Sequence, residues 1–228
     1  MTYAGMQIAD MALDMEPSAG RTRSELVIRT KGLVGWLGES FVRMQAVSAA
    51  GPPVQPRQFS GAYSKRDRDR LTSLRWNGGG EMVEATEARN GRTKPSEVPA
   101  ADRAGTVDPL TAMLRLRDWL AAGAAIGAEL RLPVTDGRKR VDLVATRRPD
   151  VTGDAGAAHG LEVRLLPVFG FEPGDGLVSW PGQPRAYEIL VSADGRWAPL
   201  AVRENGTPMI ALTRDCLARP GCEPLRER

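Results

Sequence analysis

The sequence predicts a mainly β protein: a curved antiparallel sheet or partly open β-barrel of roughly ten strands, with one amphipathic helix at about 108–122 against it. Three observations predict this. Apolar residues alternate with polar ones in short runs, the two-residue period of a half-buried strand. Gly 25 and Pro 17 among 228 residues punctuate those runs with turns. The period becomes helical only once.

In chain order, Met1 and Tyr3 share one face, Met6 and Ile8 fall on the other parity, and Met11, Leu13 and Met15 return to the first. That slip predicts a hairpin or bulge at Gly5 and again near Ala9-Asp10. Pro17-Ser18-Ala19-Gly20 turns into a strand at 23–30, the glycine-punctuated stretch 31–38 follows, and 41–47 is the next strand. Gly51-Pro52-Pro53 breaks it, and 57–63 and 69–76 form a strand pair. Asn77-Gly78-Gly79-Gly80 is a strong turn into an edge strand at 81–88. Residues 89–104 are polar with scattered proline and read as a loop.

Asp108-Pro109 then starts the helix, since Asp accepts from orphan N–H groups and Pro fits the first turn. Leu110, Met113, Leu114 and Leu120 follow on a helical stripe with Trp119 beside them, and Gly123 stops it. Strands resume with Leu130, Leu132 and Val134, the Asp136-Gly137 turn, and Val141, Leu143 and Ala145. A Gly/Ala-rich loop is expected at about 149–160, then strands at 161–169, 185–192, 197–202 and 207–213, with a turn at Asp194-Gly195. Residues 1–214 read as one β-rich domain and 215–228 as a C-terminal tail. A hydrophobic fraction of 42% supplies a core.

The net charge is +3, from 31 basic and 28 acidic residues. The densest basic run, Ser64 to Arg70, is interrupted by Asp67 and Asp69 and reads as a solvated strand edge or turn. Nothing concentrates positive charge or pairs it with stacking aromatics, so nucleic acid is not an expected partner. There is no apolar run long enough for a membrane span. The start of the chain lacks a basic, then apolar, then small-residue export signal, so the chain as given would be cytoplasmic.

Little catalytic chemistry is expected. His159 is the only histidine; it falls in the small-residue loop without a partner and reads as exposed and inert. A single histidine removes most Ser-His-Asp and Cys-His arrangements. No metal site is expected from two cysteines and one remote histidine, and Gly78-Gly79-Gly80 lacks the Lys-Ser/Thr of a phosphate loop. No cofactor is expected. The tryptophans, Trp36, Trp76, Trp119, Trp180 and Trp197, are scattered and read as core or rim. Cys216 and Cys222 flank Pro220-Gly221, which can reverse the chain between them. In an oxidising compartment they are expected to pair, contributing about 2–3 kcal/mol; in cytosol they stay thiols.

Three stretches resemble a known family: Thr30-Lys31-Gly32-Leu33-Val34-Gly35-Trp36; Gly105-Thr106-Val107-Asp108-Pro109-Leu110-Thr111-Ala112-Met113-Leu114-Arg115; and Leu132-Pro133-Val134-Thr135-Asp136-Gly137-Arg138-Lys139-Arg140-Val141-Asp142-Leu143. In order and spacing they resemble the uncharacterised proteobacterial envelope proteins called domain of unknown function 3108. Pro167 to Phe171 and Asp194 to Leu200 echo it further. Its motif positions here are Gly32, Gly35, Asp108, Pro109, Asp136 and Gly137. The resemblance implies an exported, periplasmic protein whose domain opens with a strand reading Tyr-x-Val-x-Tyr-x-Gly. Only the second half is present, as Met1-Thr2-Tyr3-Ala4-Gly5, so Met1 is expected to be an internal methionine with the first strand truncated. The family supplies no catalytic residues. At the level of fold it looks like the half-barrel lipoprotein carriers of the bacterial envelope.

Two functions lead. The first is a non-enzymatic envelope protein that binds a lipid or other apolar ligand, with Leu110, Met113, Leu114 and Trp119 lining or plugging the cavity, although a helix with that stripe is more often simply core. The second is a structural or interaction protein for envelope integrity, with a filled core, no ligand and an envelope protein partner. An enzyme would need perturbed carboxylates in a cleft, and a nucleic-acid binder salt-sensitive retention; neither is favoured.

Overall fold

The computed structural model of the chain describes residues 2–3, 6–7, 9–30, 40–65, 68–153, 156–172, 178–179, 184–195, 197, 199–204 and 207–211. Gly32, Gly35, Cys216 and Cys222 lie outside the described residues. The class is mainly β as expected, with fifteen strands and two helices among the described residues.

The strands form two antiparallel sheets. The N sheet is a meander of β3 (Ala9–Ser18), β4 (Arg21–Thr30), β5 (Ser40–Ala49), β6 (Gln55–Lys65), β7 (Arg68–Trp76), β8 (Met82–Arg89) and β9 (Arg92–Pro95). The C sheet runs β10 (Glu129–Thr135), β11 (Arg140–Gly153), β12 (Gly156–Phe169), β13 (Tyr187–Ser192), β14 (Pro199–Glu204) and β15 (Thr207–Ala211), and then takes in β1 (Thr2–Tyr3) and β2 (Met6–Gln7). The chain passes from one sheet to the other between β2 and β3, near the expected second phase slip.

Register explains why these runs form a two-faced sheet. Ala46, Phe59, Leu74 and Ala85 lie opposite one another across β5–β8 and are buried in one row. The neighbouring row, Gln45, Ser60, Ser73 and Thr86, is polar and falls on the other face. On the C sheet the inward positions include Leu143 opposite Leu165 and Ala145 opposite Val163.

The helix Pro109–Ala121 fills the space between the two sheets. Leu110 and Met113 pack on the N-sheet cluster of Phe59, Leu74 and Trp76. Leu116, Trp119 and Leu120 pack on the C-sheet cluster of Ala145, Leu161 and Val163. Ala112 meets Val107, Leu132 and Val134. A helix apolar on so many sides is a core element, and each fully buried leucine contributes about 2–3 kcal/mol. Gly123 ends it at φ +80°, its N–H donating to the Leu120 carbonyl at 2.9 Å.

Between β9 and β10 in the chain, residues 96–108 tie the sheets together. Ser96 Oγ donates to the Gly137 carbonyl at 2.5 Å, Arg140 Nε to the Asp102 carbonyl at 3.1 Å, and Trp76 Nε1 to the Thr106 carbonyl at 3.1 Å. Val107 forms a parallel bridge with Val134.

Two expectations are corrected. The polar stretch 89–104 contains β9 and a short helix, Ala100–Arg103; edge pairing to β8 needs backbone groups, not apolar alternation. In the Gly/Ala-rich stretch 149–160, residues 149–153 and 156–160 continue strands β11 and β12. Its register shifts between Arg148 and Val151, and a Cβ on Gly160 would come within 2.7 Å of the Pro149 carbonyl oxygen. The small residues there make room for a bulge.

Candidate functional site

Of the four helix residues expected to line a cavity, the structure takes two entirely into the core: Leu110 and Leu114 are both 0% exposed. Met113 packs against the N-sheet cluster. Trp119 lines a cavity.

That cavity is a cleft of about 700 Å³, within the ordinary range for small-molecule sites. One wall is the β5–β6 connection, Gly51 to Val54; the other is Leu130 and Leu132 of β10. The helix residues Arg115, Asp118 and Trp119 complete it. Arg115 and Trp119 are four residues apart and share a helix face, a spacing readable in the sequence but not used by the apolar stripe. A second hollow of about 580 Å³ is lined largely by polar and charged groups such as Asp14, Glu16, Arg23, Glu25 and Gln45.

The electrostatics of the cleft start at the helix cap. Asp108 is fully buried; its Oδ1 accepts from the N–H groups of Leu110 at 3.0 Å and Thr111 at 2.9 Å. Its Oδ2 accepts from Thr111 Oγ1 at 2.6 Å, and Ser48 Oγ lies 2.8 Å beyond that hydroxyl. Burial pushes the Asp108 carboxyl above its ordinary pKa, against the pull of these donors. About two turns on, Arg115 Nε donates to the Val54 carbonyl at 2.7 Å and Nη2 to Gln55 Oε1 at 3.3 Å. Burial lowers the Arg115 pKa, partly offset by the Asp108 charge. Asp118 is held by Arg117 at 2.8 Å.

A polar cluster that the sequence reading missed lies on the C sheet. Arg147, only 7% exposed, pairs with Asp150 and donates to the carbonyls of Gly160, at 3.1 Å, and Arg148. Nδ1 of His159 lies 2.9 Å from both Arg147 Nη2 and Asp150 Oδ1. The His159 ring stacks on Trp197 with centroids 5.1 Å apart. His159 is therefore partnered and mostly buried, contrary to expectation, because its segment is strand and not loop. The Arg147 hydrogen bond, and after it that of His159, holds the Asp150 carboxyl below its usual range. Trp197 sits at φ +55°, a left-handed conformation that disfavours side chains; the stack and its packing on the C-sheet cluster hold it there.

The family motif positions that can be placed are structural. Asp108 and Pro109 cap the helix. Asp136 Oδ1 accepts from the N–H groups of Arg138 at 2.9 Å and Lys139 at 2.8 Å, shaping the β10–β11 turn. Gly137 takes φ +87° there, and a Cβ on it would meet Leu74 Cδ2 at 2.8 Å. Among the described residues no three His, Cys, Asp or Glu side chains converge to hold a metal ion. Nor is any described helix long and apolar enough to cross a membrane.

Two separate antiparallel sheets around a central helix, not closed into one barrel, define a β-barrel-like protein. The chain belongs to the family Protein of unknown function (DUF3108), whose model matches residues 1–207. Among solved structures it is similar to the beta-barrel-like protein of domain of unknown function DUF1849 from Brucella abortus, with a TM-score of 0.50. The two are 10% identical over 90% of this chain and 86% of that one, so the likeness concerns fold alone. Comparison with proteins of curated function finds no match.

Proposed function

We propose that this is a non-enzymatic binding protein of the bacterial envelope, working in the periplasm, that holds a lipid or other apolar ligand. The observation that carries the proposal is the cleft between helix and β10, apolar on Val54, Trp119, Leu130 and Leu132 and of ligand size at about 700 Å³. The periplasmic setting rests on the envelope character that the family resemblance implies. The non-enzymatic part rests on the only histidine being held in the Arg147–Asp150 pairing and the Trp197 stack.

The test is saturable binding of the neutral apolar fluorophore Nile red. The cleft reading expects one site, emptied by Leu130→Trp, which fills the cleft from β10. Unsaturable binding, or binding untouched by that substitution in a folded protein, sinks it.

A second reading is a structural or interaction protein for envelope integrity, with a filled core and an envelope partner. The complete burial of Leu110 and Leu114 favours it, because the helix occupies the interior that a carrier would leave open. Failure of Nile red to bind, with an envelope defect on deletion, would select it.

A further inference from the structure

Resting on the cleft reading above, we infer that the ligand is an amphiphile with an anionic head, a carboxylate or a phosphate, received by the Arg115 guanidinium while its apolar part lies along Trp119, Leu130 and Leu132. Its basis is a set of unspent donors on a half-buried arginine at the edge of an apolar cleft. An arginine carries five N–H groups in a planar fork. In Arg115 the Val54 carbonyl takes one and Gln55 another, and both partners are neutral. Among the described residues the remaining three N–H groups have no acceptor.

The neighbouring carboxylates do not supply the missing charge. Asp118, on the same cleft, is bonded by both Nε and Nη2 of Arg117. Asp108, whose field does reach Arg115, has both oxygens committed to the helix cap. The N–H groups that remain belong to a half-buried cation without an ion pair among the described residues. A cation held partly out of water without a counter-ion is costly, and an anionic ligand head removes that cost. The backbone bond to Val54 fixes the guanidinium plane in advance, so little ordering remains to oppose binding. The apolar walls give the tail its place and the arginine gives the head its direction.

The experiment is calorimetric titration of the delipidated protein at low salt with laurate, lauryl phosphate and lauryl alcohol, which share one chain and differ in the head. Laurate or lauryl phosphate is expected to bind about tenfold or more tightly than the alcohol, the scale of hydrogen bonds to a charged group. Preference for one anion over the other names the head and supports the inference. Arg115→Gln should bring laurate and lauryl phosphate down to the affinity of the alcohol, and Arg115→Lys should retain part of the preference. Equal binding of all three by the native chain overturns the Arg115 assignment while leaving the cleft standing, and needs no variant to fold. Binding of none overturns both.

Discussion

Arg115 and Arg147 lie in two regions of one interior and are treated in opposite ways. Arg147 meets a carboxylate, an imidazole and two carbonyls, and its charge is spent within the protein. Arg115 meets one carbonyl and one amide, beside an apolar cleft. The difference teaches how to read a buried cation. A fully satisfied one fixes structure, here the far end of the β11–β12 hairpin. A partly satisfied one beside a cavity keeps donors that the proposed ligand head would take.

The largest expected effect breaks the comparison if it fails. Arg147→Met should cost about 2–3 kcal/mol, because the Gly160 and Arg148 carbonyls lose a charged donor. Arg115→Gln should cost about 1 kcal/mol or less, since it gives up two bonds to neutral partners at a half-buried site. Urea unfolding of both variants measures the pair. Equal costs would mean that Arg115 is as structural as Arg147.

A middle-sized effect sharpens the same division. Gly137→Ala places a Cβ at φ +87° and against Leu74, so a loss of about 2 kcal/mol is expected. Nile red binding at the cleft should be unchanged, because Gly137 holds the β10–β11 turn and does not line the cleft. A change in affinity without a change in unfolding midpoint would reverse that assignment.

Much of this fold was legible in the sequence because its signals are local. The Asp108-Pro109 cap, the Gly123 stop, and the turns at Asn77 and Asp136-Gly137 each follow from a few adjacent residues. The segment 149–160 was not legible, because Gly and Ala carry no alternation even when their backbones pair. Losing that strand also hid the His159 cluster, whose members Arg147, Asp150 and Trp197 meet only through the hairpin and the next turn. The cleft was half legible. Of the four helix residues expected to line or plug a cavity, Trp119 lies on the cleft and Leu110 and Leu114 lie in the core, because an apolar stripe does not say which of its sides meets a sheet. Arg115 was passed over because a charge on a helix is usually solvated, and what its guanidinium meets depends on β5–β6, some sixty residues away in sequence.

The smallest effect concerns the cap behind Arg115. Asp108→Ala should cost about 1–2 kcal/mol, leaving the Leu110 and Thr111 N–H groups unanswered. Asp108→Asn should be close to neutral. Its carbonyl oxygen still accepts both N–H groups, its amide donates to Thr111 Oγ1, and the Thr111 hydroxyl turns to donate to Ser48. The asparagine also removes a buried carboxylate, and that difference should depend on pH. Burial raises the folded pKa of Asp108 above its ordinary 3.8, so the folded chain holds this proton longer than the unfolded chain. Its stabilising contribution is complete below that value and is lost as pH climbs through it toward the folded value. The native chain should therefore lose ground to Asp108→Asn as pH rises above 3.8. Unfolding midpoints across that range measure it, and a gap that stays flat or moves the other way would mean that the three donors, helped by the nearby Arg115 charge, outweigh burial at the cap.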